Sequence, residues 1–251
     1  MNCAQAILSL FLLSPCDSGG AGHEAVRAAV AHPRRPEADT VRDEARKPAE
    51  VLSFLGIKPG MAVLDVFAGG GYYTEILDTL VGEDGKVLSH NNQAYLGFVG
   101  PQLEQRFANG RLANSEQVIA EANDIELEDD SLDAALMILA YHDFFYESEQ
   151  FNWPDVDESA FLDTLCAAMK PGAILGVADH VAPESSDTLD AAFRLHRISP
   201  RKVIDDMTAS CFDLEAESNL LRNTSDDHNK PSIDPEMSGK TDRFLFKFVR
   251  R

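Results

Sequence analysis

Val63-Leu64-Asp65-Val66-Phe67-Ala68-Gly69-Gly70-Gly71-Tyr72-Tyr73-Thr74 is the stretch that decides the fold. Its first half is an apolar run holding one acid, the pattern of a buried strand. Three glycines follow, and the spacing then predicts a helix over Tyr72–Val81. A glycine-rich turn between a strand and a helix lets backbone approach a ligand closely at a helix N-terminus. The dinucleotide fingerprint requires Gly-x-Gly-x-x-Gly. Gly69 and Gly71 supply the first two positions, but Thr74 stands at the third, which argues against an NAD-dependent dehydrogenase. An acid inside the strand, four residues before the first glycine, belongs to another kind of cofactor site.

Upstream, Val41, Ala45, Val51, Leu52 and Leu55 share a helical face, Pro48 opens a second helix and Gly56 ends it. Downstream, strands are expected at Lys86–Asn91, 118–122, 132–140 and 173–180, separated by helical segments at 93–108 and 158–169. After a helix at 200–210, strands at 212–219 and 244–249 are joined without a helix and must pair antiparallel. The expectation is a doubly wound, Rossmann-like α/β fold of seven strands, mostly parallel with an antiparallel last strand. The helices at 41–55 would form a lid beside the cofactor.

The chain has 251 residues, 44% of them apolar, with 22 basic against 42 acidic residues and a formal charge of −20. That composition suits a soluble globular domain and excludes collagen-like, disulfide mini-protein and wholly disordered classes. The negative surface disfavours nucleic acid. Cys3, Cys16, Cys166 and Cys211 match no metal or redox spacing, and no disulfide framework is implied. The apolar run Ala-Ile-Leu-Ser-Leu-Phe-Leu-Leu at 6–13 is too short for a membrane span. It resembles the core of a secretory signal, and Leu13-Ser14-Pro15-Cys16 resembles a lipoprotein cleavage site, although no basic residue precedes the run. Residues 1–16 are therefore expected to be a signal or lipoprotein segment, 17–38 a linker and 39–251 the functional domain. Export or lipid anchoring in a bacterial envelope is favoured over a cytoplasmic location, with membrane attachment only through the N-terminal lipid.

Asp65, Gly69 and Gly71 resemble the first motif of the class I S-adenosylmethionine-dependent methyltransferases, with Phe67 where the family usually has its first glycine. The likeness runs from Val51 to Val249. More narrowly, Arg46-Lys47-Pro48, the Gly69 to Thr74 segment, Tyr141-His142-Asp143 and Gly239-Lys240-Thr241-Asp242-Arg243-Phe244 resemble a bacterial group of predicted methyltransferases, often with export signals. The resemblance implies S-adenosylmethionine as cofactor. It assigns Asp65 to the cofactor's amino-acid end, has the backbone at Gly69 and Gly71 pass beneath the cofactor, and counts Tyr73 among the cofactor-binding residues, with Asn91 at the ribose in place of the usual acid and Glu121, or Asp124, at the adenine. An amide at Asn91 forgoes charge-assisted hydrogen bonding.

Beyond the buried strand at 132–140 the chain emerges as Tyr141-His142-Asp143-Phe144-Phe145-Tyr146, where doubly wound sheets bind ligands. His142 is the candidate general base, with Asp143 to orient it or to take the proton itself. Tyr141, Phe144, Phe145, Tyr146 and Trp153 either wall an acceptor pocket or pack the core. Asp143, Asp179, His180, Asp226, Asp227 and His228 offer metal-donor chemistry without a fixed-spacing motif, so no metal is expected. The polar stretch 220–241, with Arg222 to His228, is read as a substrate-side loop. The expected activity is methyl transfer to a small molecule. The alternative is a non-catalytic ligand-binding or scaffold protein on a degraded methyltransferase fold, for which Phe67 and Asn91 speak.

Overall fold

The computed structural model describes residues 18–251. Its strands are β1 Ala62–Asp65, β2 Lys86–Asn91, β3 Ser115–Ile119, β4 Leu132–Ile138, β5 Met169–His180, β6 Phe212–Ser218 and β7 Arg243–Arg250. They form one seven-stranded sheet in the order β3-β2-β1-β4-β5-β7-β6. The pairings from β3 through to β5 are parallel, and β7 runs antiparallel to both β5 and β6. The expected architecture is the one observed.

The helices are α1 Ser18–Val30, α2 Glu37–Thr40, α3 Asp43–Arg46, α4 Pro48–Leu55, α5 Tyr72–Val81, α6 Gln93–Phe107, α7 Glu158–Ala168, α8 Thr188–Leu195 and α9 Pro200–Ala209. Alternation along the central strands feeds two cores, as a sheet covered on both faces requires. Leu64, Ala135 and Met137 face a core with Phe161, Leu165, Val203 and Met207 of α7 and α9. Val63, Ala134 and Leu136 face the other, with Val26, Leu52, Leu55, Ile76 and Leu77 of α1, α4 and α5. The α4 helix sits so close to β5 that a Cβ at Gly176 would lie 2.5 Å from Leu55 Cδ1. A side chain there would have to displace the Leu55 and Leu136 methyl groups.

Three expectations are corrected. Residues 18–30, read as linker, are helical, and Val26 and Ala29 are buried against α4 and α5. Their apolar spacing was hidden among glycine, alanine and histidine. Cys166 and Cys211 form a disulfide across a sequence separation of 45, joining the end of α7 to the start of β6. Sequence distance concealed that pair. The third strand lies three residues earlier than read, because β3 is an edge strand with little burial to mark it. Helix α8 was not foreseen at all. The N-terminal expectations, including Cys3 and Cys16, fall outside the described residues.

Candidate functional site

The turn after β1 is left-handed at Phe67 (φ 47°), Gly69 (φ 57°) and Gly71 (φ 77°). A phenylalanine in that region is strained by roughly 1–2 kcal/mol. Its ring is buried, with centroids 5.1 Å from His90, 5.4 Å from Tyr95, 5.1 Å from Phe144 and 5.9 Å from Trp153. Asn91, at the end of β2, clasps Gly69 from both sides. Gly69 N donates to its Oδ1 at 2.9 Å, and its Nδ2 donates to Gly69 O at 3.1 Å. On the other flank, α6 closes the turn: Arg106 Nε donates to Gly70 O at 2.6 Å, and a Cβ on Gly71 would lie 2.8 Å from Arg106 Cδ. The room beside Gly71 is thus filled by arginine. Arg106 in turn pairs with buried Asp39 at 2.8 Å and with Glu75, which also pairs with Arg111.

Asp65 is buried and accepts from Thr74 Oγ1 at 2.7 Å, and burial pushes its carboxyl up to about 6. Thr74, the residue that breaks the dinucleotide fingerprint, is what satisfies this acid. Glu121 lies just past β3. Its Oε1 accepts from Gln93 N at 3.3 Å, while its Oε2 is buried without a hydrogen-bond partner. Asp124 closes the short turn that follows.

Two cavities open above the carboxyl ends of β4 and β5 and share Leu139, His180 and Ser232. The smaller, about 290 Å³, is lined by Arg42, Arg46 and Arg243. Arg46 lies over the Tyr72 ring at 4.6 Å, and among the described residues it forms no ion pair. Arg243 donates to Ala45 O at 2.6 Å, yet its Nε is buried without a partner. Burial lowers the pKa of both guanidinium groups, and the charge of Arg46 lowers that of Arg243 further. Tyr73 lies near both arginines, and burial pushes its hydroxyl up to about 12.

The larger cavity, about 480 Å³, is walled by Tyr95, Phe98, Tyr146, Phe151 and Trp153, with His142, Asp143 and His196 at its polar side. Tyr141, Phe144 and Phe145 turn into the core instead. His142 and Asp143 sit on the short 3-10 turn Tyr141–Phe145 that ends β4. Asp179, at the end of β5, accepts from the His142 backbone at 2.9 Å and lies 2.9 Å from its Nδ1. It is Asp179, therefore, that orients the imidazole. Asp143 Oδ1 stands 3.4 Å from Nε2, and Tyr95 donates its hydroxyl to Asp143 Oδ2. Burial opposes a charge on His142, but Asp143 and Asp179 outweigh it and raise the group to about 9. Burial raises the Asp143 carboxyl, whereas His142 holds Asp179 below the usual range despite burial. Burial takes His180 down to about 3 and, with the charge of His142, His196 to about 4.

The structure thus brings His142 and Asp143 together, with Asp179 and His180 beside them. The other acids lie elsewhere: Asp226 pairs with fully buried Arg197 at 2.9 Å, Asp242 with Arg222 and His228, and Asp227 Oδ1 caps Asn229 N. Those pairs pin the 220–241 stretch, which contributes Ser232 and Ile233 to the cavity wall. Tyr95, His196 and Arg243 were missed as site residues. Arg46 and Arg243 lie in the segments that carry the family resemblance, which assigns them no role; His196, at the end of helix α8, leaves no signal in the sequence.

The family model of protein-L-isoaspartate(D-aspartate) O-methyltransferase matches residues 38–100, which hold the glycine turn and the two strands beside it. No curated protein sequence matches the chain. Among solved structures, a SAM-dependent methyltransferase from Aquifex aeolicus aligns with TM-score 0.56 and 22% identity, covering 84% of this chain and 98% of that one. The fold is that of the S-adenosylmethionine-dependent methyltransferases. Geranyl diphosphate C-methyltransferase from Streptomyces coelicolor, in complex with Mg2+, geranyl diphosphate and S-adenosyl-L-homocysteine, aligns with TM-score 0.59 at 14% identity, over 90% of this chain and 89% of that one. The [4+2]-cyclase SpnF aligns with TM-score 0.53 at 15% identity, over 88% and 85% of the two chains. This methyltransferase fold is therefore shared with a protein named for a cyclisation, and activity has to be argued from the site.

Proposed function

We propose that this chain transfers a methyl group from S-adenosylmethionine to a small acceptor held in the aromatic cavity. The observation that carries the reading is the pair of adjacent cavities, with Arg46 and Arg243, which form no ion pair among the described residues, in one and His142, Asp143 and an aromatic wall in the other. The buried atoms left without partners suit the cofactor at both its ends. Arg243 Nε offers a donor to a carboxylate and Glu121 Oε2 an acceptor to an adenine amino group, and beside Arg243 the Arg46 guanidinium, in no ion pair among the described residues, offers further donors. The ribose position fits less well, because both hydrogen-bonding groups of Asn91 are spent on Gly69. When bound, the cofactor supplies an electrophilic methyl carbon.

The chain's own residues would supply position and proton handling, the two needs of a displacement at carbon. The faces of Tyr95, Tyr146 and Trp153 suit a sulfonium charge. Asp65 stabilises the glycine turn through Thr74, acting on the cofactor from behind the backbone. The imidazolium of His142, fixed by Asp179, orients an acceptor lone pair, while Asp143 Oδ1 takes the proton of an O–H or N–H acceptor. Calorimetry with S-adenosylmethionine and S-adenosylhomocysteine, followed by a metabolite screen with labelled cofactor, tests the reading. Binding that is lost in Arg46→Ala supports it; absence of binding to either compound rejects it.

Phe67 and Asn91 favour a second reading, a non-catalytic small-molecule binder on this fold, since Asn91 is engaged by Gly69 and the Phe67 ring is packed in the core where the resembled family usually has a glycine. A ligand retained by the aromatic cavity without any methyl transfer would select it. We further propose that the chain is exported. The signal-like run at 6–13 is one reason, and the Cys166–Cys211 disulfide, a bond that persists in oxidising compartments, is an independent second. Fractionation with N-terminal mass analysis tests this, and an intact Met1 in cytoplasmic protein rejects it. Cys16→Ser should release an anchored chain from the membrane fraction.

A further inference from the structure

We propose that His142, Asp143 and His196 bind a single divalent transition-metal ion at the wall of the aromatic cavity. One donor atom from each lies within 4.8 Å of the other two. The His142 Nε2 to Asp143 Oδ1 separation, 3.4 Å, is long for a charge-assisted hydrogen bond, which closes to about 2.7–2.9 Å. It is close to the spacing of roughly 3.4 Å that two tetrahedral ligands keep when each lies about 2.0–2.1 Å from one ion.

The supporting groups are those that metal ligands need. Asp179 holds Nδ1 of His142 at 2.9 Å and thereby turns Nε2 toward the cavity. The Tyr95 hydroxyl holds one oxygen of Asp143 and leaves the other facing Nε2. His196 caps α8 in a left-handed conformation (φ 48°), and its ring stacks on Tyr146 at 5.0 Å and meets His142 edge-on at 5.6 Å. Asp143 and Asp179 bring two negative charges to balance a dication. Two imidazoles and one carboxylate suit zinc, iron or cobalt better than magnesium or calcium, which prefer oxygen alone. The sequence shows no metal motif because one ligand comes from a helix end far along the chain.

Three protein ligands leave at least one position open to the cavity, the arrangement of a catalytic rather than a structural ion. Loading the ion releases the Nε2 proton of His142, and an acceptor hydroxyl or thiol would then bind as its anion with its proton passing to solvent, a route that replaces proton transfer to Asp143. That use rests on the methyl-transfer reading; the ion site does not. The test takes the tag-free full chain, strips it with a chelator, and measures zinc after dialysis and the visible spectrum after cobalt loading. One zinc per chain and the intense ligand-field bands of four- or five-coordinate cobalt are expected. His196→Ala and Asp143→Asn should lose both, and His228→Asn, on the Asp242 side, should keep both. His196 is half-buried at the cavity rim, so its variant is the one expected to fold normally; circular dichroism checks this. Should Asp143→Asn fail to fold, His196→Ala and the cobalt spectrum of the parent decide. Substoichiometric zinc in the parent, a weak octahedral cobalt spectrum, or undiminished binding by His196→Ala overturns the proposal. No step uses S-adenosylmethionine, so failure here is distinct from failure of the methyl-transfer reading.

Discussion

The glycine turn after β1 and the crevice beyond β4 and β5 lie at the same edge of one sheet, and they are built in opposite ways. The turn carries the residues that a motif search finds, yet it is closed on two flanks: Asn91 clasps Gly69 and Arg106 fills the space beside Gly71, while the Phe67 ring is buried among His90, Tyr95, Phe144 and Trp153. The crevice carries no such motif, yet it is open and holds two histidines and a carboxylate within reach of each other. A motif reports how the backbone must travel. Chemistry depends on which side chains reach a shared space, and those come from separate strand ends and a helix cap.

The comparison breaks most visibly in two variants. His142→Ala should lower turnover by about 10² to 10⁴-fold, the scale for a lost proton-transfer or orienting group, while S-adenosylmethionine affinity changes little. Rapid-quench kinetics beside calorimetry separates the two, and equal losses in both would make His142 structural. Arg106→Met should do the reverse. It takes one arginine from each of the buried acids Asp39 and Glu75, which keep Arg42 and Arg111, so the cost falls below the ~3–5 kcal/mol of a buried charge left wholly unpaired. Urea denaturation reads that loss, and a loss under 1 kcal/mol would mean that the closed flank is not held by charge. On the far side of the sheet, Cys166→Ser should cost about 2–4 kcal/mol through the freed unfolded chain.

Much of the fold is legible because periodicity is a local signal. Tyr72–Val81 and Lys86–Asn91 are found at the residues their pattern indicates, and β4 announces itself by an apolar run broken only at Asp133. Edge strand β3 was misplaced because exposure removes that signal. The site was half legible. The position past β4 follows from topology, so His142 and Asp143 could be named. Asp179 as the orienting group depends on β5 lying beside β4, which is a fact of pairing order, and His196 depends on a helix whose short apolar stripe is partly exposed at Leu189 and Phe193.

Two histidines sharpen the contrast through pH. His90, in the closed region, is pushed down to about 4 by burial, and His142, in the open one, is raised to about 9 by Asp143 and Asp179 against burial. For His90 the folded value lies below the unfolded one. Its contribution is intact above pH 6.5 and lost as pH falls toward 4. For His142 the folded value is higher, so its stabilisation is full below pH 6.5 and disappears as pH rises through 9. Each amounts to about 3 kcal/mol in the metal-free chain. Proton NMR should find His90 neutral at pH 5.5 and His142 protonated at pH 8. Matching titrations would erase the difference between the regions.

The smallest effect is the most discriminating. The resemblance puts Asn91 where class I methyltransferases usually have a ribose-binding acid, so Asn91→Asp tests that position. In the present geometry that change is harmful. The Nδ2 donor to Gly69 O at 3.1 Å becomes an oxygen facing an oxygen, while the acceptor for Gly69 N at 2.9 Å survives. Losing one buried hydrogen bond and leaving an acceptor unpaired costs about 1–3 kcal/mol, readable as a lower urea midpoint. Because the clasp engages both ends of the amide, S-adenosylmethionine affinity should fall along with the turn's stability. If affinity rises instead, the cofactor must open the clasp on binding, and the closed turn is then one state of a moving one.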